Sequence, residues 1–164
     1  MEVFSMKRIN ANLMFKISIV CLSSFFAFSA YAADSQSQTD IKKAYQDWCA
    51  AIGTAKGNPQ DVVKFYAPGA TLLATFSSTI LKNTDNGLDP YFKKLTSHKD
   101  IKCTTDSIIT KVNHDMGFNT GFYTFSYVES DGSKKVVPAR FTFVYEKENQ
   151  KWMIVNHHSS VVPK

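Results

Sequence analysis

Residues 135–162 read KVVPARFTFVYEKENQKWMIVNHHSSVV. Two runs rich in β-branched and aromatic residues flank the polar Glu148-Asn149-Gln150, the pattern of a β-hairpin. With Asn149-Gln150 as the tip, Arg140 falls opposite Ser159, Thr142 opposite His157 and Val144 opposite Val155, so these six share a face. The other face carries Phe141, Phe143, Tyr145, Trp152, Ile154, Asn156 and His158. Both faces are substantially apolar, whereas a sheet with one wet side alternates apolar with polar. One face is therefore expected to pack on helices. The aromatic one, through Phe141, Phe143, Tyr145, Trp152, Ile154 and His158, is expected to form a homodimer or larger assembly, unless the C-terminus or a leader covers it.

Upstream of the hairpin, Asp131-Gly132 reads as a second turn, and β-rich segments run over Cys103–Asn113 and Phe118–Glu129 before the pair Lys135–Lys147 and Lys151–Val162. The earlier half is different. Ile41, Tyr45, Trp48, Cys49 and Ile52 recur on one helical face, and Gly53 and Gly57 end that helix. Asn58-Pro59-Gln60-Asp61 opens a short second helix carrying Val62, Val63, Phe65 and Tyr66, stopped by Pro68-Gly69. Ala70–Phe76 is expected as a strand, Ser77–Gly87 as an irregular loop, and Leu88–Leu95 as a third helix with Leu88, Phe92 and Leu95 inward. Helices first and antiparallel strands last is the α+β pattern, a curved antiparallel sheet wrapped around three N-terminal helices.

At the N-terminus, Lys7, Arg8 and Lys16 precede the apolar run 17–30 and then Ala30-Tyr31-Ala32, the order of a secretory signal cleaved near Ala32. The run is 14 residues long, short of the roughly 20 that span a bilayer. The expected organisation is a signal peptide over 1–32, a flexible polar leader over 33–39 and one domain over 40–164, periplasmic or secreted, with no membrane association after cleavage. Cleavage removes three of the 19 Lys and Arg and one of the 14 Asp and Glu, leaving a net charge of +3. That mild, scattered charge argues against a nucleic-acid partner. Cys49 and Cys103 remain, in a chain bound for an oxidising compartment. They read either as a disulfide or as two small buried hydrophobes.

After residue 32 the only arginine is Arg140, in the middle of an apolar strand. A planar, permanently charged fork suits a carboxylate or another planar acceptor held in a partly buried place. With Asp131-Gly132 as a hairpin tip, Tyr123 falls opposite Arg140. Tyr123, Arg140, Thr142, His157 and Ser159 then converge, roofed by Trp48 or Tyr45, as a pocket for a small carboxylate or polar metabolite. An internal ion pair or structural network is the alternative.

His157-His158 does not read as a metal site, because strand neighbours point to opposite faces. The sequence carries no His-Glu-x-x-His, paired-cysteine, nucleophile-elbow, phosphate-loop or dinucleotide motif, so no metal or cofactor is expected.

The segments ARFTFVYE (139–146) and KWMIVNHHSSVVP (151–163), with FYAPGATLL (65–73) and GFYTF (121–125), resemble the bacterial exported relatives of the calcium/calmodulin-dependent protein kinase II association domain, in the nuclear transport factor 2-like superfamily. The resemblance covers about 40–163. It implies a cone of curved sheet with three helices, a cystatin-like roll, with a deep pocket between sheet and helices and association through the outer face of the sheet. In the kinase this domain is the oligomerisation hub and its pocket is lined by several arginines. Here Arg140 is the one arginine available, and Ser159 stands where the kinase hub has a basic residue. No kinase domain fits in this length, and the helix from Ile41 is not basic enough for a calmodulin target.

Three functions follow for comparison. The first is an exported, non-catalytic oligomer whose pocket binds a small acidic or polar ligand. The second is an enzyme resembling ketosteroid isomerases and polyketide cyclases, moving a proton in the pocket, for which His157 is the available base. The third is a pure oligomerisation module.

Overall fold

The computed structural model describes residues 35–163, so the expected signal peptide lies outside the described residues. Helix α1 covers residues 35–54. The predicted stripe Ile41, Tyr45, Trp48, Cys49 and Ile52 is buried along its whole length. Residues 35–39, expected in a flexible leader, are already helical. Gln36 Nε2 donates to Asp40 Oδ1 at 2.8 Å across one exposed turn, so the missing apolar period marks a solvated turn of helix rather than coil.

Helix α2 is a single turn, Gln60–Val63, and Phe65 and Tyr66 lie beyond it. Strand β1, Tyr66–Leu73, starts earlier than expected and takes in Pro68-Gly69. The pairing shifts register between Tyr66 and Thr71, and Gly69 has φ 78°. That irregularity is what lets a proline without an N–H and a left-handed glycine sit inside a strand. The expected loop contains a short strand β2, Ile80–Lys82, and helix α3 is Asp89–Thr96, with Leu88, Phe92 and Leu95 buried.

Strands β3 (Lys99–Asn113), β4 (Met116–Val128), β5 (Lys134–Glu148) and β6 (Lys151–Val161) complete one sheet in the order β2-β1-β6-β5-β4-β3. β1 runs parallel to β6 and the other neighbours are antiparallel. Contacts join the described residues from Gln36 onward into one compact unit. No helix among them is long and apolar enough to cross a membrane.

The two hairpins decide which side chains face inward. Near the tip of β5–β6 the pairing is as read from the sequence, Glu148 opposite Lys151 and Tyr145 opposite Ile154. A bulge between Val144 and Tyr145 then spends Val155 as an extra residue, so Val144 pairs with Asn156, Thr142 with His158 and Arg140 with Ser160. One inserted residue reverses the facing of everything beyond it. His157 and Ser159 therefore turn to the concave face, and Arg140, Thr142 and His158 to the outer one. At the other hairpin the turn is wider than two residues. Glu129 N donates to Ser133 O at 2.9 Å, and Val128 pairs with Lys134. Phe122, not Tyr123, lies opposite Arg140, while Tyr123 faces inward opposite Ala139.

The aromatic face is therefore the core and not the expected dimer interface. Phe141, Phe143, Tyr145, Trp152 and Ile154 are all buried, because α1 lies on them. Tyr45 stacks on Phe141 at 4.9 Å, and Trp48 meets Phe143 edge-on at 4.9 Å. His158, expected to share that face, is exposed on the opposite side. Two further ties hold α1 down. Asn119 Nδ2 donates to Ile41 O at 3.0 Å while its Oδ1 accepts from Thr110 at 2.7 Å. Cys49 is disulfide-bonded to Cys103 of β3, 54 residues away, with Cα atoms 5.4 Å apart. Closing a loop of that length stabilises the fold by about 4 kcal/mol in the chain-entropy account.

Candidate functional site

Inside the cone, β6 presents His157, β4 presents Tyr123 and the start of β1 presents Tyr66. The Tyr66 hydroxyl lies 2.8 Å from His157 Nδ1, and that of Tyr123 3.4 Å from Nε2. Tyr123 donates to Ser159 Oγ at 2.6 Å, and Ser159 in turn bonds Thr75. Phe143 stacks on the imidazole at 3.8 Å between ring centres, and Trp48 stands edge-on at 5.3 Å. His157 is 3% exposed and Ser159 5%.

Burial dominates the electrostatics. Desolvation, helped by neighbouring His158, lowers His157 to about 3, so the imidazole is neutral at physiological pH. Desolvation also pushes the Tyr66 and Tyr123 hydroxyls well above the usual phenol range. With both phenols and the imidazole neutral, counting protons orients the chain. Tyr123 gives its only proton to Ser159, so His157 Nε2–H donates to Tyr123, and Nδ1 accepts from Tyr66. Hydrogen bonds thus run one way from Tyr66 through His157 and Tyr123 to Ser159. Trp48 Nε1 is near enough to moderate the Tyr66 shift, yet it has no hydrogen-bond partner among the described residues.

Of the seven expected ligand residues, five share this interior. Trp48, Tyr123, His157 and Ser159 converge. Tyr45 is buried beside them, but its hydroxyl turns to Thr105 at 3.0 Å, and burial raises it to about 12. Arg140 and Thr142 are on the far side of the sheet: Arg140 Nε donates to Ser160 Oγ at 2.9 Å and Thr142 bonds Thr120 at 3.0 Å. Among the described residues no Lys or Arg is buried in this interior, which removes the reason for placing a carboxylate there. It suits an uncharged polar group or a proton passed along the chain. Sequence reasoning missed Tyr66 and Thr75. The β-rich run after Pro68-Gly69 was the available signal, and extending that strand back through the proline would have found Tyr66. Among the described residues no three His, Cys, Asp or Glu side chains gather as a metal site.

The outer face is built differently. One row across it is Ile109, Thr120, Thr142, His158 and Leu73, and the next is Ser107, Phe122, Arg140 and Ser160. Phe118 is 38% exposed, Phe122 46%, Ile109 60% and Val136 62%.

Residues 37–163 match the family described as the calcium/calmodulin dependent protein kinase II association domain. Among solved structures, the chain is similar to a candidate association domain of that kind from Xanthomonas campestris, at 35% identity and TM-score 0.69, over 76% of this chain and 86% of that one. It shares its fold with the association domain of the C. elegans kinase, at 12% identity and TM-score 0.62, over 78% and 98% of the two chains. A nuclear transport factor 2-like protein of Salmonella enterica also has the fold, at 15% identity and TM-score 0.70, over 79% and 94%. No curated protein matches.

Proposed function

We propose that this chain, which belongs to the calcium/calmodulin dependent protein kinase II association domain family, is an exported self-associating domain whose copies meet through the outer face of β3–β5. The observation that carries the reading is the patch of Phe118, Phe122, Ile109 and Val136 on that face, with Val144 beside it only half-buried. Large apolar side chains gathered on one face of a sheet are stabilised by leaving water, at about 25 cal/mol per Å² buried. A stable dimer buries about 800 Å² per partner, an area within reach of three strands of this length. The order of charges, apolar run and small residues in 1–32 supports export, and so does a disulfide, which persists in oxidising compartments. Light scattering on the protein without residues 1–32, at micromolar concentration, should give the mass of a dimer or a multiple of it. A stable monomer ends the proposal.

A second reading, a ligand pocket or proton-transfer site in the cone, is favoured by the line Tyr66–His157–Tyr123–Ser159. It takes an uncharged polar molecule rather than an acid, because Arg140 is outside. Neutral polar compounds should then raise the melting temperature of the wild type but not of His157→Gln. Equal shifts in both proteins would remove this reading.

A further inference from the structure

At one end of the cone, between α3, the segment after β1 and the last residues of β4, lies a cavity of about 260 Å³. Four of its lining side chains are aromatic, Phe76, Tyr91, His98 and Tyr127, and its two charged ones are Lys94 and Glu129. The rings are held in place. His98 and Tyr127 stand 4.2 Å apart between ring centres, Phe76 meets Phe125 of the core at 6.5 Å, and the Tyr91 hydroxyl is hydrogen-bonded to the Phe76 backbone. Phe76 nevertheless remains 47% exposed, a ring left half in water beside an aromatic-walled cavity. Glu129 is fixed by its backbone, whose N–H donates to Ser133 O at 2.9 Å and whose carbonyl accepts from Gly132 N–H at 3.0 Å. Burial first, and the Glu129 carboxylate second, push the Tyr127 hydroxyl up, so that negative charge acts on the aromatic wall. Among the described residues neither Lys94 nor Glu129 is in an ion pair.

We propose that this cavity binds a small zwitterion with an alkylated ammonium group and a carboxylate, the ammonium against the aromatic rings and Glu129, the carboxylate toward Lys94. Ring faces attract a cation through their quadrupole, and a neighbouring carboxylate adds to the attraction. An unalkylated ammonium brings three N–H donors that need acceptors. Glu129 is the one carboxylate in the lining, so the rings suit methyl groups better. Unpaired Lys94 disfavours a ligand that is only cationic and matches one that also carries an anion. The volume is below the usual range for ligand sites, which keeps the ligand small. No residue of this lining belongs to the Tyr66–His157–Tyr123–Ser159 line or to the outer patch of Phe118, Phe122, Ile109 and Val136, so the proposal stands independently of both readings of function.

The test is calorimetric titration of the protein without residues 1–32 with glycine betaine and, separately, with 3,3-dimethylbutyrate, which keeps the shape and the carboxylate but has carbon in place of the charged nitrogen. One saturable site per chain is expected for glycine betaine, with 3,3-dimethylbutyrate weaker by roughly tenfold or more. Choline, which lacks the carboxylate, should also bind more weakly. Phe76→Leu keeps an apolar side chain without the ring and should weaken glycine betaine about threefold, and Glu129→Gln about fivefold. Absence of saturable binding by glycine betaine overturns the proposal. So does equal or tighter binding of 3,3-dimethylbutyrate or choline, and so does wild-type affinity in either variant when circular dichroism shows it folded.

Discussion

The two faces of strands β5 and β6 treat polar side chains in opposite ways. On the concave face His157, Ser159, Tyr123 and Tyr66 bond one another under Trp48 and Phe143. On the outer face Arg140 and His158 stand in the open, on a face that also carries exposed phenylalanines. Adjacent residues of one strand supply both sets, and the extra residue Val155 decides which goes where. Inside, an unmatched polar group costs about 1–3 kcal/mol, and His157, Ser159, Tyr123 and Tyr66 match one another, although Trp48 Nε1 and the Tyr145 hydroxyl beside them have no partner among the described residues. Outside, water matches them until a partner does, and those groups are free to recognise something.

The strongest way to break this contrast is to insert one residue between Val144 and Tyr145, opposite Val155. The insertion gives Val155 a partner and removes the bulge, so strict alternation turns His157 and Ser159 out of the cone, and the domain should fail to fold, with no cooperative urea transition. A folded insertion variant of wild-type stability would show that the bulge does not set the faces.

Acid is the next largest perturbation. His157 sits near 3 in the folded protein against 6.5 for an ordinary histidine, so between those values the unfolded chain binds the extra proton. The contribution of His157 is complete above pH 6.5 and is lost as pH falls toward 3, by up to about 1.4 kcal/mol per pH unit. Urea unfolding from pH 7 to 4 should show this slope in wild type and a flatter one in His157→Gln. Parallel profiles would mean that the imidazole is not buried neutral.

Tyr66→Phe removes one hydroxyl and leaves His157 Nδ1 unpaired, at a cost of about 1–3 kcal/mol by denaturant midpoint. Thr142→Ala, on the outer face, should change stability by no more than about 0.5 kcal/mol. Similar costs at the two positions would erase the distinction between the faces.

Much of this arrangement is legible in the order of residues alone. The stripe on α1 alternates large apolar and charged residues, so its inward face is unambiguous, and the hairpin tip is marked by three polar residues. Beyond the tip the signal fades. Met153 to Val162 contains no charged residue to contrast with the apolar ones, so period two survives a slip of one, and the bulge leaves no trace in composition. The slip separates Arg140 from His157, which is why a pocket containing both was expected. The β1–β6 pairing was hidden for another reason. It joins segments 85 or more residues apart in parallel, and Pro68-Gly69 at the start of β1 reads locally as a terminator.

Sedimentation equilibrium on wild type and on Phe118→Asp/Phe122→Asp is the most direct test of association through the outer face. Wild type should sediment as a dimer or larger, and the double variant as a folded monomer with its disulfide and near-wild-type circular dichroism. A variant that keeps the wild-type mass would place the interface elsewhere and contradict the assignment of the two faces.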